Sequence, residues 1–478
     1  MTAQTILPAN TLSSGYDVAN SCRFNSGDSA VLKRTHGTPT SAKKFVWSAW
    51  IKRSKLGADQ YFVQNYTDGS NISMIYFRSG DDIRIFDRHG TGDGTDTVWI
   101  SNGLFRDISA WYHILLKVDT TQSTDSNRLK VYINGVQDTG NGITYPALNA
   151  NMNFTSASAS NRHSIAATSD GYNYFGGYLC EVVLIDGTSP DHTDFGEFDS
   201  DSGIWKPIDV SELTFGNNGY YLDFADSGDL GDDESGNGND FAETNLAATD
   251  QSTDTCTNNF ATMNPLDNYY ASATFTEGNT TTNITSSSIE TYNLSTIGVS
   301  SGKWYAECKV ETTSKNTHIG IVSESSKSTG DYVGIDASGY GYAGGTVGVG
   351  NKWNNGSQTS YADNYTTNDI IGVAMDLDNN KIYFSKNGTW QNSGDPESGA
   401  TGTGAAFTIT ASSSTPDGVY YFAGGKRSND TVKLNWNFGS PSFAISSGNA
   451  DGNGYGNFEY AVPSGYYALN TKNLAEYG

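Results

Sequence analysis

The segment WYHILLKVDTTQSTDSNRLKVYINGVQ, residues 111–137, decides the fold class. Apolar side chains alternate with other residues in both of its halves, at Ile114, Leu116 and Val118 and again at Leu129, Val131 and Ile133. A period of two is typical of a β-strand that buries one face. Asn134-Gly135 then supplies the positive φ angles of a tight turn. The segment therefore predicts two adjacent antiparallel strands, followed by a tight turn into a third.

The second half of the chain repeats this pattern in DIIGVAMDLDNNKIYFSKNGTW, residues 369–390. A polar turn at Asp378-Asn379-Asn380 joins two alternating segments, and Asn387-Gly388 forms another tight turn. No fixed period connects the two halves, so the pattern indicates two sandwiches of similar construction rather than a repeat protein. We expect one buried face to hold Ile371, Val373, Met375, Leu377, Ile382 and Phe384.

Length and composition favour an all-β protein with more than one domain. The 478 residues exceed what one core usually organises, and the 54 glycines accompany no stretch of sustained helical periodicity. We predict two antiparallel, jelly-roll-like β-sandwiches, over residues 1–224 and, with a C-terminal tail, over residues 269–478. Residues 225–268 are predicted to form an ordered, loop-rich connector, because apolar residues such as Phe241 and Phe260 interrupt its polar turns.

The charge balance argues against some classes of partner. Asp and Glu number 52 against 28 Lys and Arg, which gives a formal net charge of −24. This charge opposes binding to nucleic acid and to anionic lipid headgroups. The amino-terminal MTAQTILPAN lacks the features of a signal peptide, and apolar runs such as residues 45–51 are too short to span a bilayer. We therefore expect neither a nucleic-acid partner nor membrane insertion.

Two parts of the first half resemble known families. The segment FGGYLCEVVLIDGTSP, residues 175–190, follows KVYINGVQ at residues 130–137 and resembles the closing strands of a concanavalin A-like, laminin-G-type sandwich. Residues 195–241, which begin FGEFDSDSGIW and end GNGNDF, look like a region that recurs in large virion proteins of marine tailed bacteriophages. The first resemblance implies a β-sandwich, and the second implies a place on a virus particle.

The second half resembles a SPRY domain (B30.2/SPRY-like). The resemblance rests on SGKWYAECKVE at residues 301–311, HIGIV at residues 318–322 and IIGVAMDLDNNKIYFSKNGTWQNSGDP at residues 370–396. It implies a bent β-sandwich with Trp304 and Tyr305 in its core and partner-binding loops at one end. The glycine-rich residues 339–365 depart from the family pattern, which leaves the loop positions there undefined.

The residues needed for glycan cleavage do not occur in a usable arrangement. Retaining glycosidases need two carboxylates a short distance apart, but the E-x-D-x-x-E spacing is absent. The nearest pair, Glu181 and Asp186, has an odd spacing that places the two on opposite faces of a strand. Glu197, Asp199 and Asp201 fall in a predicted loop. The six histidines belong to no hydrolase or metalloprotease motif, and we expect no enzymatic activity.

Two sets of polar residues leave alternatives open. The acidic loop after residue 224 offers oxygen ligands that suit Ca²⁺, but Asp and Asn beside glycine also serve as turn formers. The four cysteines form no CxxC or Cys/His cluster, which argues against structural zinc. Buried thiols are one interpretation of the cysteines, and a Cys22–Cys180 disulfide between neighbouring strands is the other. The candidate calcium ligands are Asp226, Asp229, Asp232, Asp233 and Asp240.

Aromatic residues with neighbouring amides are the candidates for ligand binding. Sugar rings present apolar CH faces to aromatic side chains, while amides and carboxylates bond the hydroxyls. WNNGSQTSYADNY, residues 353–365, has this composition, although sandwich cores also use aromatic residues. The predicted ligand-binding residues are Trp353, Asn354, Asn355, Tyr361, Tyr365 and Trp390, together with Tyr66, Arg88 and His89 from the first domain.

These observations favour a non-catalytic virion surface protein, such as a tail-fibre or receptor-binding component that recognises a host-surface glycan or protein. A decoration protein that cements capsid or tail subunits is the structural alternative, and a glycan-cleaving enzyme is the third. We expect other virion proteins as partners, a homo-oligomer with a trimer favoured, and a location on the virion exterior. Ca²⁺ is the cofactor under consideration.

Overall fold

The computed structural model describes residues 15–89, 96–269, 273–285, 288–313, 315–428 and 431–478. This chain divides into two compact units, with the division between Thr257 and Asn258. We call them the N-terminal unit, up to residue 257, and the C-terminal unit, from residue 258. Each unit is described by itself below.

The N-terminal unit consists of strands joined by turns, with short 3-10 helices at Asp125–Asn127, His192–Asp194 and Ala248–Asp250. The strands are β1 (Ser21–Phe24), β2 (Val31–Arg34), β3 (Lys44–Arg53), β4 (Gln60–Asp68), β5 (Asn71–Phe77), β6 (Ile83–His89), β7 (Thr97–Ile100), β8 (Trp111–Asp119), β9 (Leu129–Ile133), β10 (Val136–Asp138), β11 (Ile143–Thr144), β12 (His163–Ile165), β13 (Gly177–Asp186), β14 (Gly196–Phe198), β15 (Trp205–Pro207), β16 (Tyr220–Leu222), β17 (Ala242–Thr244) and β18 (Gln251–Ser252).

These strands form a sandwich of two antiparallel sheets. Sheet A has the order β10-β9-β8-β3-β13-β1-β18, with β16 beside β13. Sheet B has the order β11-β7-β6-β5-β4-β12-β2-β17, and β14 pairs with β15 in a separate ribbon. Alternate side chains of both sheets meet in one apolar core, for example Trp47, Leu116 and Leu184 from sheet A and Phe62 and Ile75 from sheet B.

The segment that predicted the fold forms three consecutive antiparallel strands, β8, β9 and β10. Asn134 and Gly135 have φ angles of 48° and 75° and make the predicted tight turn. Ile114 faces the core as predicted, but Leu115 on the opposite face is also fully buried. Alternation therefore identifies the core face without showing that the other face is exposed.

Strand β13 is buried along its whole length. Its pairing with β3 contains a β-bulge between Cys180 and Val183, where Glu181 has a φ of 51°. A bulge adds one residue to a strand and turns two successive side chains to the same side. Leu179 and Val182 face the core, whereas Cys180 and Glu181 both lie on the outer side of sheet A.

The C-terminal unit has the same kind of construction, with helices α1 (Gly345–Gly348) and α2 (Thr471–Tyr477) and 3-10 helices at Glu277–Asn279, Gln391–Ser393, Pro396–Thr401 and Ser412–Ser414. Its strands are β19 (Ala273–Thr276), β20 (Thr281–Ile284), β21 (Thr291–Leu294), β22 (Lys303–Thr312), β23 (Thr317–Val322), β24 (Tyr340–Gly344), β25 (Asn351–Asn354), β26 (Ser357–Ser360), β27 (Ile370–Asp376), β28 (Lys381–Lys386), β29 (Thr389–Trp390), β30 (Phe407–Thr408), β31 (Tyr421–Lys426), β32 (Val432–Asn437) and β33 (Tyr467–Ala468).

Two sheets again enclose a core. Sheet C has the order β19-β20-β32-β22-β27-β28-β29, with β30 beside β28 and β33 parallel to β22, and sheet D has the order β21-β31-β23-β24-β25-β26. Trp304 and Tyr305 are both fully buried, as the SPRY resemblance implied. The predicted core residues of residues 369–390 all lie in the core between the sheets. The prediction of two antiparallel β-sandwiches in an all-β protein is confirmed.

The segment predicted as a connector, residues 225–268, is shared between the units. Before the division it contributes β17 to sheet B and β18 to sheet A, and Phe241 packs in the N-terminal core. After the division, Phe260 and Met263 pack in the C-terminal unit, whereas Leu266 is 61% exposed. The C-terminal tail packs Phe458 and Tyr466 against the outer side of sheet C. No helix in the described residues is long and apolar enough to cross a bilayer.

Candidate functional site

The outer side of sheet A is covered by the chain itself. Val46, Leu115 and Val183 point away from the core and are buried beneath Phe195 and Val210, which follow β13 in sequence. A neighbouring cluster buries Trp50 and Cys180 against Trp205 in the same way. Sheet A therefore has no outer surface available for a ligand at these positions.

The outer side of sheet B is different, because no described segment of the N-terminal unit packs an apolar cluster onto strands β4 to β7. Only a loop after β12 reaches this side, where the amide of Ser169 donates to Oε1 of the buried Gln64 at 2.7 Å. Strands β5, β6 and β7 place Ile75, Ile85 and Trp99 in the core and direct the alternate residues outward. The outward residues of β4 to β7 belong to none of the buried clusters in the described chain. We call this surface the open face, and its residues are Tyr61, Tyr66, Ile72, Met74, Tyr76, Arg84, Phe86, Arg88, Val98 and Ile100.

The chemistry of the open face is unusual for a solvent-facing sheet. Antiparallel sheets that face water normally alternate apolar inward and polar outward residues. On this sheet Ile72, Met74, Val98 and Ile100 point outward and are only partly buried. Exposed apolar patches of this kind mark interaction surfaces, so the open face is our candidate functional site.

Planar side chains stack across the open face. The rings of Tyr61 and Tyr76 are parallel within 6°, with centroids 4.5 Å apart. The guanidinium groups of Arg84 and Arg88 lie 5.0 and 5.2 Å from the ring centroid of Phe86. Such stacking holds the side chains in fixed orientations at little further entropic cost. The surface is therefore largely preorganised.

The loop that follows β12, an interior strand of sheet B, borders the open face. The guanidinium of Arg162 lies 4.9 Å from the ring centroid of Tyr66 and forms an ion pair with Asp170. Lys33 donates to the carbonyl of Ser169 at 3.1 Å. At the tip of this loop Tyr172 is 69% exposed. The loop therefore adds an exposed tyrosine beside the strands, and its Asp170 neutralises Arg162.

Two of the predicted ligand-binding residues lie together on the open face. Tyr66 pairs with Ile72, and Ile72 pairs with Arg88, so the register of β4, β5 and β6 places the three side by side. Arg88 also forms an ion pair with Asp96 at 2.9 Å. His89 ends β6, and its side chain lies outside the described part of the chain.

Two aromatic residues predicted for the C-terminal unit are buried. Trp353 is 4% exposed, and the guanidinium of Arg427 lies over it, 4.4 Å from the centroid of the Trp353 ring. Tyr365 is fully buried, and its hydroxyl donates to the carbonyls of Thr317 and Tyr342. Neither ring can stack on a sugar without rearrangement of the sandwich.

The remaining predicted residues of this unit do not share one surface. Asn354 donates its amide to the carbonyls of a neighbouring loop, and Asn355 is an exposed turn residue with a φ of 51°. Tyr361 packs against the core between sheets C and D, whereas Trp390 packs on the outer side of sheet C near Tyr305. The structure does not gather them into a site.

The acidic loop is organised by backbone hydrogen bonds. Asp226 accepts from the amide of Gly228, and Asp229 accepts from that of Gly231. Asp233 accepts from the amides of Tyr221, Ser235 and Asn239, and Asp240 accepts from that of Asp233. Asp232 is partly buried, and burial together with its acidic neighbours raises its pKa. The described residues contain no group of three or more side chains arranged to hold a metal ion.

Cys22 and Cys180 lie on different sides of sheet A. Cys22 pairs with Leu179 and faces the core, whereas Cys180 lies on the outer side of the sheet. The two sulfurs therefore cannot meet, which corrects the idea of a Cys22–Cys180 disulfide. The sulfur of Cys180 instead lies 3.8 Å from that of Cys256. All four cysteines are buried, and none of these described residues is disulfide-bonded.

The nearest carboxylate pair is not arranged for glycan cleavage. Glu181 lies on the outer side of sheet A, where the hydroxyl of Tyr221 donates to it at 2.9 Å, and burial raises its pKa to about 8. Asp186 accepts hydrogen bonds from the backbone amides of Thr40, Ser41 and Asn218. Glu197 lies on β14 rather than in a loop and pairs with Lys206 of β15, whereas Asp199 and Asp201 lie in the turn between these strands, as predicted.

Ser48 and His113 are buried and in contact beside Glu181. The proton on His113 is on the wrong nitrogen for this histidine to act as a base toward the serine. Trp205 donates to Nδ1 of His113 at 3.0 Å, which leaves the ring proton on Nε2. Nε2 then donates to Ser48 Oγ at 2.8 Å, whereas a catalytic base must accept from the serine. Burial lowers the pKa of His113 to about 3. The cavity beside them has room for about one water-sized molecule.

Two family models match the chain. The model described as the concanavalin A-like lectin/glucanases superfamily matches residues 25–190, and the SPRY domain model matches residues 303–420. The chain carries a concanavalin A-like domain followed by a SPRY domain. Both family resemblances of these domains are confirmed, and the open face lies within the concanavalin A-like domain.

Three solved structures illustrate these likenesses. The SPRY domain of human HERC1 is 19% identical, covers 33% of this chain and 86% of its own, and has a TM-score of 0.25. A SAP-like pentraxin from Limulus polyphemus is 14% identical, covers 37% and 80%, and has a TM-score of 0.28. A protein of Bacteroides ovatus ATCC 8483 assigned as carbohydrate-binding is 14% identical, covers 48% and 61%, and has a TM-score of 0.32. No curated protein matches the sequence.

Most of the open face was missed by the sequence prediction. Ile72, Met74, Phe86, Val98 and Ile100 were not among the predicted residues. The available signal was the presence of apolar residues at both odd and even positions in NISMIYF, IRIFDRH and TVWI. The strands of sheet A show the same feature, so only the position of the covering segment distinguishes the two sheets.

Proposed function

We propose that the protein is a non-catalytic glycan-binding protein of a virion exterior, which uses the open face to recognise a host-surface glycan. The observation that carries the proposal is the outward apolar and aromatic surface of sheet B. Lectin-like domains of the concanavalin A type commonly provide such a scaffold, and their function lies in the side chains placed on it. Aromatic rings supply the apolar contact that sugar rings require, and fixed arginines supply hydrogen-bond donors.

The absence of catalysis is part of the proposal. It is supported by the separation of Glu181 from Asp186 on opposite sides of sheet A and by the reversed hydrogen bond between His113 and Ser48. Incubation with β-glucans and host polysaccharide should release no new reducing ends. The appearance of such ends would contradict this part.

The placement on a virus particle is supported by the resemblance of residues 195–241 to a region of phage virion proteins. In this proposal the chain is a tail-fibre or receptor-binding component, forms a homotrimer and contacts other virion proteins. Locating the chain in a map of an intact particle tests it. A few copies at the tail would support the proposal, whereas hundreds of copies over the capsid would favour a decoration protein.

The binding surface is tested with the full chain on a polysaccharide array. Tyr66→Ala and Met74→Ser remove contact area from the open face, and Val136→Ser on β10 is the matched control because Val136 is 62% exposed in sheet A. We expect the two open-face variants to lose at least tenfold in affinity and the control to be unchanged. Unaltered binding by both variants would contradict the proposal.

Light scattering on the same variants separates a ligand surface from a self-association surface. If Met74→Ser changes the oligomeric state while glycan binding is absent, the open face contacts a second copy of the chain instead. A constant oligomeric state with lost glycan binding supports the proposal.

A further inference from the structure

One arginine on the open face has no acidic partner, although the chain is strongly acidic. Arg78 pairs with Asp82, and Arg106 pairs with Asp81 at 3.2 Å. Among the described residues Arg84 forms no ion pair. Its Nη1 lies 3.4 Å from the hydroxyl of Tyr76, and no described residue accepts a hydrogen bond from its Nε. In a chain with 52 acidic residues against 28 basic ones, such a guanidinium needs an explanation.

The surroundings of Arg84 favour an anion. The outward positions of β5, β6 and β7 contain no carboxylate among the described residues. Arg88 is paired with Asp96, which directly precedes β7, whereas Arg84 lies on the face without an acidic partner and Lys33 lies on β2 of the same sheet. This part of the molecule therefore differs in charge from the chain as a whole, whose formal net charge is −24. Local positive charge within an acidic protein selects for a negatively charged group at close range.

The position of Arg84 also fits a ring that carries the anion. Arg84 pairs with Tyr76 across β5 and β6, and Tyr76 stacks on Tyr61. On the other side Arg84 pairs with Ile100 of β7. A guanidinium binds carboxylate or sulfate through two parallel hydrogen bonds. The apolar side chains beside it offer contact to the ring that bears this group.

We infer that the open face binds an acidic polysaccharide, with Arg84 contacting a carboxylate or sulfate group of the sugar. This inference rests on the proposed function and specifies the class of glycan. Arg84 is the specificity-determining residue in this account, and the partly exposed Tyr61 and Ile100 provide the adjoining apolar surface.

The test measures the affinity of the full chain for three polysaccharides. Alginate carries carboxylates, dextran sulfate carries sulfates and dextran is neutral. We expect at least one acidic polysaccharide to bind at least tenfold more tightly than dextran. Preference for alginate or for dextran sulfate identifies the anionic group, and either preference supports the inference.

Two variants of Arg84 and one control complete the test. Arg84→Gln should lower the affinity for the acidic polysaccharide at least tenfold and change that for dextran less than twofold. Arg84→Lys keeps the charge but not the paired donors, and should lose about threefold. Arg106→Gln removes one exposed guanidinium from the same unit, with 61% of its side chain accessible, and should have no effect.

The outcomes distinguish this inference from the proposed function. Equal affinity for dextran and for both acidic polysaccharides, or equal losses in Arg84→Gln and Arg106→Gln, would overturn the inference alone. Binding to none of the three polysaccharides would overturn the inference, and the proposed function would then be decided by the polysaccharide array. Circular dichroism of Arg84→Gln verifies folding, and Arg84→Lys gives the same comparison if the glutamine variant fails to fold.

Discussion

The outer sides of sheets A and B in the N-terminal unit both carry apolar residues, but only that of sheet A is covered. Beneath Phe195 and Val210, Leu115 of sheet A is fully buried. Met74 of sheet B points outward in the same manner and remains partly exposed. The segment after β13 therefore converts one sheet face into a second core, whereas the open face remains partly exposed.

The C-terminal unit shows the covered arrangement again. Tyr305 and Tyr383 on the outer side of sheet C are buried by Phe458 and Tyr466 of the tail. On the outer side of sheet D, Trp353 packs against Tyr332. In the described parts of this molecule, most outward apolar residues are therefore covered by other segments. The open face of sheet B is an exception, which is why we propose a binding role for it.

The largest effect is expected from a buried ion pair on the covered side. Lys52 and Asp254 lie 2.6 Å apart, and both side chains are 1% exposed. Asp254→Ala should lower the free energy of unfolding of the N-terminal unit by about 3–5 kcal/mol, because it leaves the ammonium buried without its carboxylate. Denaturant unfolding of the full chain measures this loss in the transition of the N-terminal unit.

The matched ion pair beside the open face is Arg88–Asp96, with 45% and 35% exposure. Asp96→Ala should cost about 1 kcal/mol or less, since exposed pairs contribute little. If Asp254→Ala and Asp96→Ala lowered the free energy of unfolding equally, the two ion pairs would not differ in burial as the structure shows.

A smaller difference is expected from truncation of single apolar side chains. Leu115→Ala on the covered side leaves a cavity and should cost about 3 kcal/mol. Met74→Ala on the open face should cost about 1 kcal/mol or less, because the side chain is already partly in water. A loss for Met74→Ala as large as that for Leu115→Ala would indicate that the open face is covered in solution. Thermal and denaturant unfolding provide the comparison.

A pH-dependent effect is expected from the buried carboxyl group of Glu181. Burial raises its pKa to about 8, so the folded chain retains a proton that the unfolded chain releases above its ordinary pKa of 4.5. The contribution of Glu181 to the free energy of unfolding of the wild type is therefore greatest below pH 4.5, and it decreases as the pH rises to about 8. Glu181→Gln should match the wild type at pH 4 and be more stable than the wild type at pH 9, which denaturant unfolding at the two pH values measures.

Glu307 in the C-terminal unit is the control for this pH effect. Burial raises its pKa to about 7, but both of its oxygens accept backbone hydrogen bonds, from Glu459 and Tyr460 at 2.9 and 2.8 Å. In Glu307→Gln the side-chain NH2 group would face one of these two backbone N–H groups, and neither could accept a hydrogen bond from the other. The substitution should therefore be destabilising at every pH. A gain in stability for Glu307→Gln at high pH would contradict this explanation.

The local rules of strand formation predicted much of the fold. Alternation and the Asn-Gly turns correctly identified β8 to β10 and β27 to β29, because these signals depend on neighbouring residues alone. The bulge at Glu181 and the double burial of β13 were not predicted, since they depend on how β3 and the later covering segment pack.

The candidate site was harder to predict for the same reason. Tyr66 and Arg88 were proposed separately, and only the register of three strands places them beside Ile72. Composition favoured Trp353 and Tyr365, which resemble sugar-binding residues in isolation but are buried by distant parts of the chain. Whether an aromatic residue is core or surface is decided by tertiary packing, which composition does not reveal.

The most direct test of ligand binding at the open face is hydroxyl-radical footprinting of the full chain with and without saturating alginate. Met74 and Tyr66 are partly exposed and readily oxidised, and Phe198, which is 49% exposed on β14, serves as the reference. We expect alginate to lower the oxidation rates of Met74 and Tyr66 at least threefold and to leave that of Phe198 unchanged. Bound alginate that protects residues of the C-terminal unit while Met74 reacts at its original rate would contradict the account.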